Sequence, residues 1–223
     1  MDVASVRSRI AAAAARAGRA ADHVRIVAVT KGHAIERARE AVAAGLVDLG
    51  ENRVQEALGK QEAWPDAPVR WHLIGHLQRN KARLAVGRFA LIHSLDSVRL
   101  ADALEGAAAA ASLVQDVLVE VNVAREPQKT GVTAEEAPAL VRHAAALPHL
   151  RVQGLMAIAP YTPDVRLQRQ VFRDLRLLRD ALATSTRALG VLSMGMSNDF
   201  EIAVEEGATL VRLGTVLFGE RAA

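Results

Sequence analysis

The sequence contains no cysteine and few aromatic residues, and each shortage excludes a class of function. Without cysteine there is no disulfide and no thiolate chemistry, and nothing indicates an oxidising compartment. Aromatic residues make up only 3%, and the net charge is +3 with basic and acidic residues interspersed. A nucleic-acid surface requires a clustered basic stripe, and binding of single strands requires stacking rings as well. We therefore expect a protein that does not bind nucleic acid.

Long apolar runs are also missing. No run approaches the roughly 20 residues that a membrane-spanning helix needs. Residues 1–21 are rich in alanine, arginine and serine and poor in acid, as transit peptides are. Apolar residues recur there at helical spacing, at Val3, Val6, Ile10, Ala13, Ala14 and Ala17. This pattern favours an amphipathic helix packed on a cytoplasmic protein, without membrane association, over a targeting segment.

Short apolar runs alternate with helical patterns along the whole chain. Strands are predicted at 25–30, 46–49, 69–74, 89–93, 116–122, 151–157, 190–193 and 209–213. Helices are predicted between them at 34–44, 52–62, 78–86, 97–111, 134–146, 164–184 and 198–206. Eight βα repeats match an α/β protein with the (β/α)8 architecture of a TIM barrel. No linker divides the chain, so we expect a single domain over residues 1–223 with an extra N-terminal helix.

A doubly wound open sheet is the competing architecture. It usually has fewer strands and places a glycine-rich turn after the first strand. Here that turn is Thr30-Lys31-Gly32-His33, and the sequence has neither a GxGxxG motif nor a P-loop. The barrel is therefore the favoured fold.

In a barrel, the catalytic and binding residues lie at the C-terminal ends of the strands. These ends offer an amine, amides, imidazoles and hydroxyls, but no cluster of carboxylates. Metal catalysis requires several converging Asp, Glu or His ligands, and His72 with His76 alone is a weak case. We therefore expect no metal site, and no pair of acids of the glycosidase type.

Lysine is scarce in this arginine-rich chain. The 28 lysines and arginines include only four lysines, Lys31, Lys60, Lys81 and Lys129. Lys31 stands where the first predicted strand ends, and a lysine retained in such a composition suggests a need for its amine. A primary amine can lose its proton and form a Schiff base, which a guanidinium cannot do. The alternative is a lysine whose apolar stem leaves the strand end and whose head lies in water.

The last two strand ends carry turns of small residues, at 193–199 and 212–215. Barrels commonly bind phosphate with the loops after strands seven and eight, through backbone N–H groups. Gly195 and Gly214 allow the backbone to approach an anion, and Ser197 and Thr215 can donate hydroxyl groups. Ordinary helix capping explains either turn alone, but two such turns at adjacent strand ends favour a phosphate site.

A lysine suited to a Schiff base and a phosphate site across the barrel mouth together suggest pyridoxal 5'-phosphate (PLP). Its aldehyde would condense with Lys31, and Arg212 would lie near its ring. A guanidinium donates a hydrogen bond to the pyridine nitrogen but does not protonate it, because its usual pKa is above about 12. An unprotonated ring is a poorer electron sink, so the cofactor would be less reactive in carbanion chemistry.

At these residues the sequence resembles a known family, the PLP homeostasis proteins of the YggS/PROSC group, which share the fold type III barrel with the N-terminal domain of alanine racemase. The similar segments follow one another over nearly the whole chain: AVTKGH (28–33), LGENRVQEA (49–57), WHLIGHLQRNK (71–81), HSLDS (93–97), VNVAREPQKTGV (121–132), GLMAIAPYTPD (154–164) and LSMGMSNDFEIAVEEGATLVRLGTVLFGER (192–221). Arg53 departs from the family pattern, since relatives often carry an aromatic residue at that position.

The resemblance implies that Lys31 carries PLP as an internal aldimine. It implies that the phosphate is bound by Ser197, Gly214 and Thr215, and that Arg212 faces the pyridine nitrogen. It also implies three further residues in the pocket, Asn52, His76 and Met194. The full set of implied cofactor-binding residues is Lys31, Asn52, His76, Met194, Ser197, Arg212, Gly214 and Thr215.

We expect this protein to carry PLP rather than to turn over a substrate. A racemase needs one base on each face of the substrate α-carbon, and the second is usually a tyrosine positioned with a further domain for which this chain has no room. The only tyrosine, Tyr161, is expected in a loop. The family is likewise regarded as binding and delivering PLP. The expected function is a PLP carrier or buffer in vitamin B6 and amino-acid homeostasis; the alternatives are a weak amino-acid racemase and a barrel that binds a sugar phosphate.

Apo forms of PLP-dependent enzymes are the candidate recipients of the cofactor. A monomer is expected because the second domain is missing. Lys129, in the loop after the fifth predicted strand, is a candidate second amine for handing PLP over, but a solvated loop lysine is the favoured interpretation.

Overall fold

The structure, a computed structural model, describes residues 1–183 and 189–220 and contains a closed barrel of parallel strands. The strands are β1 (Arg25–Val29), β2 (Asp48–Glu51), β3 (Arg70–Leu73), β4 (Leu91–Leu95), β5 (Gln115–Glu120), β6 (Leu150–Met156), β7 (Val191–Ser193) and β8 (Leu210–Leu213). They follow in sequence order, and β8 pairs with β1. The predicted TIM barrel is confirmed. The predicted helix end at 184 and the last three residues of the expected domain lie outside the described residues.

Helices surround the barrel and connect its strands. They are α1 (Val3–Arg16), α2 (Ile35–Ala43), α3 (Val54–Ala63), α4 (Ala82–Ala85), α5 (Val98–Ala110), α6 (Ala137–Ala145), α7 (Val165–Leu182), α8 (Phe200–Glu205) and α9 (Thr215–Phe218). The helix predicted at 78–86 is a 3-10 turn, Arg79–Lys81, followed by the single turn α4. None of the helices in the described ranges is long and apolar enough to cross a membrane.

Helix α1 is the extra N-terminal helix that the sequence predicts. The Asp2 side chain caps it by accepting a hydrogen bond from the Ser5 N–H at 2.9 Å. Its buried residues form the predicted apolar stripe: Val3, Val6, Ile10, Ala13 and Ala14. The stripe faces the barrel beside α8, where Arg9 Nε lies 2.6 Å from Glu201 Oε1. Ala17 follows the end of the helix and is exposed, so the stripe is one residue shorter than predicted.

Strand β2 begins two residues later than predicted, at 48 rather than 46. Leu46 closes the end of α2 instead, because its N–H donates to the Ala41 carbonyl. The strand itself carries two acidic residues, Asp48 and Glu51, and both are buried. Apolar patterning does not detect such a strand, since acidic residues are rarely buried unless they are paired. Each of the two carboxylates begins a buried polar network.

The interior of the barrel is only partly apolar. The side chains of Val27, Val29, Ile74, Leu91, Leu118, Met156 and Leu210 form a small cluster, separate from the larger one between strands and helices. Layers of branched aliphatic residues usually fill such an interior. Here His72, His93, Ser193 and Arg212 are buried as well. The barrel must therefore satisfy several polar groups internally.

We expect the close contact between β6 and β7 to tolerate no side chain at position 154. A Cβ added to Gly154 would lie 1.8 Å from the Val191 carbonyl oxygen. Gly154→Ala should force the two strands apart and lower the free energy of unfolding by about 3 kcal/mol or more. Gly106→Ala, in α5, should instead raise it by about 1 kcal/mol, because an added Cβ there meets nothing within 4 Å. Urea denaturation followed by circular dichroism measures both; two equally stable variants would contradict this packing.

Candidate functional site

A cavity of 330 Å³ opens at the C-terminal ends of the barrel strands. Its lining consists of Val29, Lys31, Asn52, Ile74, Gly75, His76, Glu120, Thr130, Ile158, Met196, Arg212, Gly214 and Thr215. Six of the eight predicted site residues are in this lining. The other two, Met194 and Ser197, are placed differently.

Lys31 stands at the rim of the cavity, directly after β1. The preceding residue, Thr30, is fully buried, whereas Lys31 is half-buried. The turn is closed by a hydrogen bond from the His33 N–H to the Thr30 carbonyl at 3.1 Å. Gly32 has a φ of +70°, a left-handed conformation that favours glycine. A fixed turn therefore presents the Lys31 amine.

A buried ion pair supports this turn from α3. Lys60 is 7% exposed, and its Nζ donates to the Thr30 carbonyl at 2.7 Å and to Glu51 Oε1 at 2.6 Å. The Thr30 hydroxyl donates to the same Glu51 oxygen at 2.5 Å. Burial raises the pKa of Glu51, although the hydrogen bonds from Lys60 and Thr30 act in the opposite direction. Sequence analysis missed this pair because its members lie on different elements and form no local pattern.

Glu56 extends the network to the other side of Lys31. It accepts hydrogen bonds from the Gly32 N–H and from Lys60 Nζ, the latter at 3.1 Å. Burial alone would raise the pKa of Glu56, but the hydrogen bonds from Gly32 and Lys60 outweigh burial and lower it. The backbone is thus held both before and after Lys31.

Arg212 faces the cavity from β8 and is 4% exposed. Its Nη1 donates to the Ser193 carbonyl at 2.8 Å and to the Ser193 hydroxyl at 2.7 Å, and its Nη2 donates to the Ala157 carbonyl at 2.9 Å. Burial lowers the pKa of Arg212 to about 10, so the guanidinium is charged at neutral pH. A guanidinium has five N–H groups, and these bonds to the barrel wall use three of them.

The two turns of small residues meet at the rim. Ser197 Oγ accepts hydrogen bonds from the Gly214 N–H at 3.3 Å and the Val216 N–H at 3.2 Å. Two backbone N–H groups therefore converge on one oxygen, an arrangement that also suits an anionic oxygen. Ser197 itself lines a neighbouring cavity, and Thr215 lines both cavities.

The first of these turns contains a glycine that packing requires. Gly195 has a φ of +93°, and an added Cβ would lie 2.5 Å from Ala203 Cβ in α8. The close packing of this turn on α8 therefore requires glycine at position 195, whether or not an anion binds there. Met194 is fully buried in the barrel wall, whereas Met196 lines the cavity. Of the two methionines, Met196 occupies the position that sequence analysis assigned to Met194.

Asn52 and His76 line the side of the cavity formed by the loops after β2 and β3. The side chain of His76 is about half exposed, and its Nδ1 lies 3.1 Å from Asp96 Oδ2. Gly75 permits the two loops to approach, since an added Cβ would lie 2.5 Å from the Asn52 carbonyl oxygen. Arg53, which departs from the family pattern, is exposed beside them.

Glu120 adds a buried carboxyl group that sequence analysis missed. It is 4% exposed, its Oε1 accepts a hydrogen bond from the Thr130 hydroxyl at 2.7 Å, and its Oε2 has no hydrogen-bond partner among the described residues. Burial raises the pKa of Glu120 against the opposing effects of Thr130 and Arg212. A buried carboxyl with an unused oxygen at a cavity is a feature typical of binding and catalytic sites. Its signal in the sequence is an acid within an apolar strand.

Lys129 is not the solvated loop lysine that the sequence favours. Its Nζ donates to the carbonyls of Ile158 at 3.3 Å and Ala159 at 2.9 Å, and it pairs with Glu126. These contacts tie the loop after β5 to the end of β6. Tyr161 lies between β6 and α7, which confirms the predicted loop position, and it is 92% exposed.

The chain is similar to known sequences over nearly its whole length. The family described as "Alanine racemase, N-terminal domain" matches residues 1–222. The pyridoxal phosphate homeostasis protein of Aquifex aeolicus is 48% identical over 217 residues, covering 97% of this chain and 95% of that protein. The protein of the same name from Pseudomonas aeruginosa is 44% identical over 220 residues, covering 99% and 94%.

Solved structures give the same result. PipY of Synechococcus elongatus, with PLP bound, is 37% identical with a TM-score of 0.84, covering 96% of this chain and 100% of that chain. An alanine racemase of Clostridium difficile is 14% identical with a TM-score of 0.77, covering 97% of this chain and 56% of that chain. At this level of identity, the similarity to alanine racemase shows only that the two proteins share a fold.

Removal of the Lys60 ammonium should leave Glu51 as a buried charge with the Thr30 hydroxyl but without its cationic partner. We expect Lys60→Met to lower the free energy of unfolding by about 3–5 kcal/mol at pH 8. The pKa of Glu51 is already raised in the folded protein and would rise further, so the folded state binds more protons than the unfolded chain. The loss should therefore be smaller near pH 5. Guanidinium chloride denaturation at the two pH values measures this difference.

The double variant Glu51→Gln/Lys60→Met lacks both charges and should recover most of the lost stability. Lys81→Met removes a lysine from a surface turn and should change stability by no more than about 0.5 kcal/mol. A loss in Lys60→Met that is the same at both pH values would show that the Glu51 carboxylate is not its cause.

Proposed function

This chain belongs to the pyridoxal phosphate homeostasis protein family, within the alanine racemase N-terminal domain family, and we propose that it holds PLP on Lys31 as a carrier or buffer rather than as an enzyme. PLP is the cofactor indicated by the names of its relatives and by the PLP-bound PipY structure. The observation that carries the proposal is the convergence on one cavity of an amine, a buried guanidinium and a rim of backbone N–H groups.

The cavity fits a ligand of this size and charge. Its volume of 330 Å³ lies within the range of about 300–1,000 Å³ typical of small-molecule sites. Arg212 contributes a positive charge that is well removed from water. The N–H groups of Gly214 and Val216, which now meet at Ser197 Oγ, are the donors we assign to the phosphate, together with the Thr215 hydroxyl.

We assign covalent attachment to Lys31, as a Schiff base with the aldehyde of PLP. Lys31 is the lysine in the lining of this cavity. Lys60 is held by Glu51 on the far side of the turn, and Lys129 is held by two backbone carbonyls. The network around Lys31 fixes its backbone, so little conformational entropy has to be lost when a ligand binds.

Arg212 is the residue we assign to the pyridine nitrogen. PLP, when bound, supplies an electron-withdrawing ring whose strength depends on the protonation of that nitrogen. With a pKa of about 10, Arg212 stays a hydrogen-bond donor at neutral pH and does not transfer its proton. A ring kept unprotonated withdraws electrons weakly, which suits storage of the cofactor better than carbanion chemistry.

The carrier role also agrees with the position of Tyr161. A second base for racemisation would have to reach the ligand from the face opposite Lys31. Tyr161 is exposed and lies in the lining of the neighbouring cavity instead. We propose that the protein acts as a monomer and that apo forms of PLP-dependent enzymes receive its cofactor.

We expect PLP to be trapped on Lys31. Wild-type protein mixed with PLP should develop the absorbance of a Schiff base, and borohydride reduction followed by peptide mapping should place the adduct on Lys31. Lys31→Ala should lose the absorbance, because no other lysine in the described part of the chain lines the cavity. Lys81→Ala is the matched control and should retain it.

An adduct found only on another lysine would disprove the assignment. Saturable PLP binding without a Schiff-base spectrum would instead favour the third alternative, a barrel that binds phosphorylated ligands without covalent attachment.

Incubation of the PLP-loaded protein with L-alanine and L-serine should yield almost no D-enantiomer. The expected rate is far below the range of about 1 per second or more that is typical of enzymes, because no tyrosine is among the described residues that line the cavity and Tyr161 lines the neighbouring one. Chiral chromatography over several hours measures the rate. Racemisation at an enzymatic rate would replace the carrier function with that of a racemase.

A further inference from the structure

A chain of hydrogen-bonded side chains runs through the barrel interior to Arg212. Asp48 Oδ1 lies 2.8 Å from His72 Nε2, and His72 Nδ1 lies 2.9 Å from His93 Nε2. His93 Nδ1 lies 2.9 Å from Ser193 Oγ, which accepts from Arg212 Nη1 at 2.7 Å. All five residues are buried. His72, read from the sequence as a strand-end residue, is thus a link in the core rather than part of the rim.

One arrangement of protons gives every donor and acceptor in this chain a partner. Arg212 can only donate, so Ser193 Oγ accepts from it and must place its own proton elsewhere. Within the described residues, the acceptor for that proton is His93 Nδ1. His93 then donates from Nε2 to His72 Nδ1, and His72 donates from Nε2 to Asp48. The opposite direction leaves the Ser193 hydroxyl proton without a partner in the core, at a cost of about 1–3 kcal/mol.

The two ends of the chain carry opposite charges. Burial alone would raise the pKa of Asp48, but hydrogen bonds from Arg70 and His72 outweigh it and hold that pKa well below its usual value. Arg70 donates to both carboxylate oxygens, at 2.6 and 2.7 Å. Burial holds the pKa of His93 well below its usual value, and the positive charge of Arg212 acts in the same direction, so the His93 ring is neutral. A chain from a cation to an anion polarises every link in the same sense.

We propose that Asp48, His72, His93 and Ser193 are positioning residues for Arg212. Their directed hydrogen bonds hold the guanidinium so that the two N–H groups not bound to the wall face the cavity. This inference deepens the proposed function, since PLP is the ligand those groups would meet. Among the described residues, the Ser193 hydroxyl is the side-chain group that joins the guanidinium to these hydrogen-bonded side chains, because the other two bonds of Arg212 go to the backbone carbonyls of Ser193 and Ala157.

The direction of the chain can be tested without any cofactor. Long-range ¹H–¹⁵N correlation spectra of the labelled apo protein show which ring nitrogen of each histidine carries a proton. We expect both His72 and His93 to be protonated on Nε2 and His93 to lack a proton on Nδ1. A proton on His93 Nδ1 would overturn the directed chain.

The effect of these side chains on the cofactor is tested with Ser193→Ala. This substitution breaks the series of hydrogen bonds next to Arg212 and removes only one oxygen from the core. With PLP bound, this variant should show a displaced Schiff-base absorbance maximum. It should also release PLP to an excess of apo-enzyme about tenfold faster, the loss expected for one hydrogen bond to a charged group. Thr209→Val is the control. It removes a hydroxyl that accepts a hydrogen bond from the Leu192 N–H at 2.9 Å and that does not belong to the series from Asp48 to Arg212.

The outcomes separate this inference from the proposed function. If Ser193→Ala and Thr209→Val have the same spectrum and the same release rate, the chain does not position Arg212, while PLP binding stands. If the wild type forms no Schiff base, the proposed function fails, and the histidine spectra of the apo protein still decide the direction of the chain.

Discussion

The buried ion pair between Lys60 and Glu51 is the interaction on which the candidate site depends most. It holds the carbonyl of Thr30, and Glu56 holds the amide of Gly32, so the backbone on each side of Lys31 is fixed. A buried pair of this kind adds little net stability but costs several kcal/mol when one partner is removed (about 3–5). What it contributes is a turn whose geometry is set before any ligand arrives, which favours retention of that ligand.

The barrel interior and the site at its mouth form one electrostatic structure. Arg212 brings a positive charge into a space that aliphatic layers normally fill, and a buried charge is costly unless hydrogen bonds compensate it. Compensation comes from the carbonyls of Ser193 and Ala157 and from a chain that ends at the carboxylate of Asp48. The polar residues of the interior are therefore explained by a cation at the mouth, and a core repacked with apolar residues would remove the part of this compensation that comes from their side chains.

The parts of this molecule that follow local rules are predictable from the sequence. Alternating apolar runs give the barrel, and the strand-end rule brings Lys31 and Arg212 to one cavity. Glu120 escapes detection because a single acid in an apolar strand does not reveal which way its side chain points. Met194 and Met196 are confused because Gly195, with a φ of +93°, reverses the backbone between them, and the sequence does not show on which side of this turn each side chain lies. The Lys60–Glu51 pair depends on helix packing, which no local pattern specifies.

The scarcity of lysine has a geometric explanation as well as a chemical one. Lys60 directs one ammonium group at three acceptors, the Thr30 carbonyl, Glu51 and Glu56, and Lys129 meets two carbonyls and a carboxylate in the same way. A compact head with three rotatable donors satisfies acceptors arranged around a point, whereas the flat fork of a guanidinium does not. Lysine is thus retained at two positions for its shape. Scarcity alone does not identify a reactive amine; Lys31 is distinguished by the cavity that it lines and by the guanidinium that shares it.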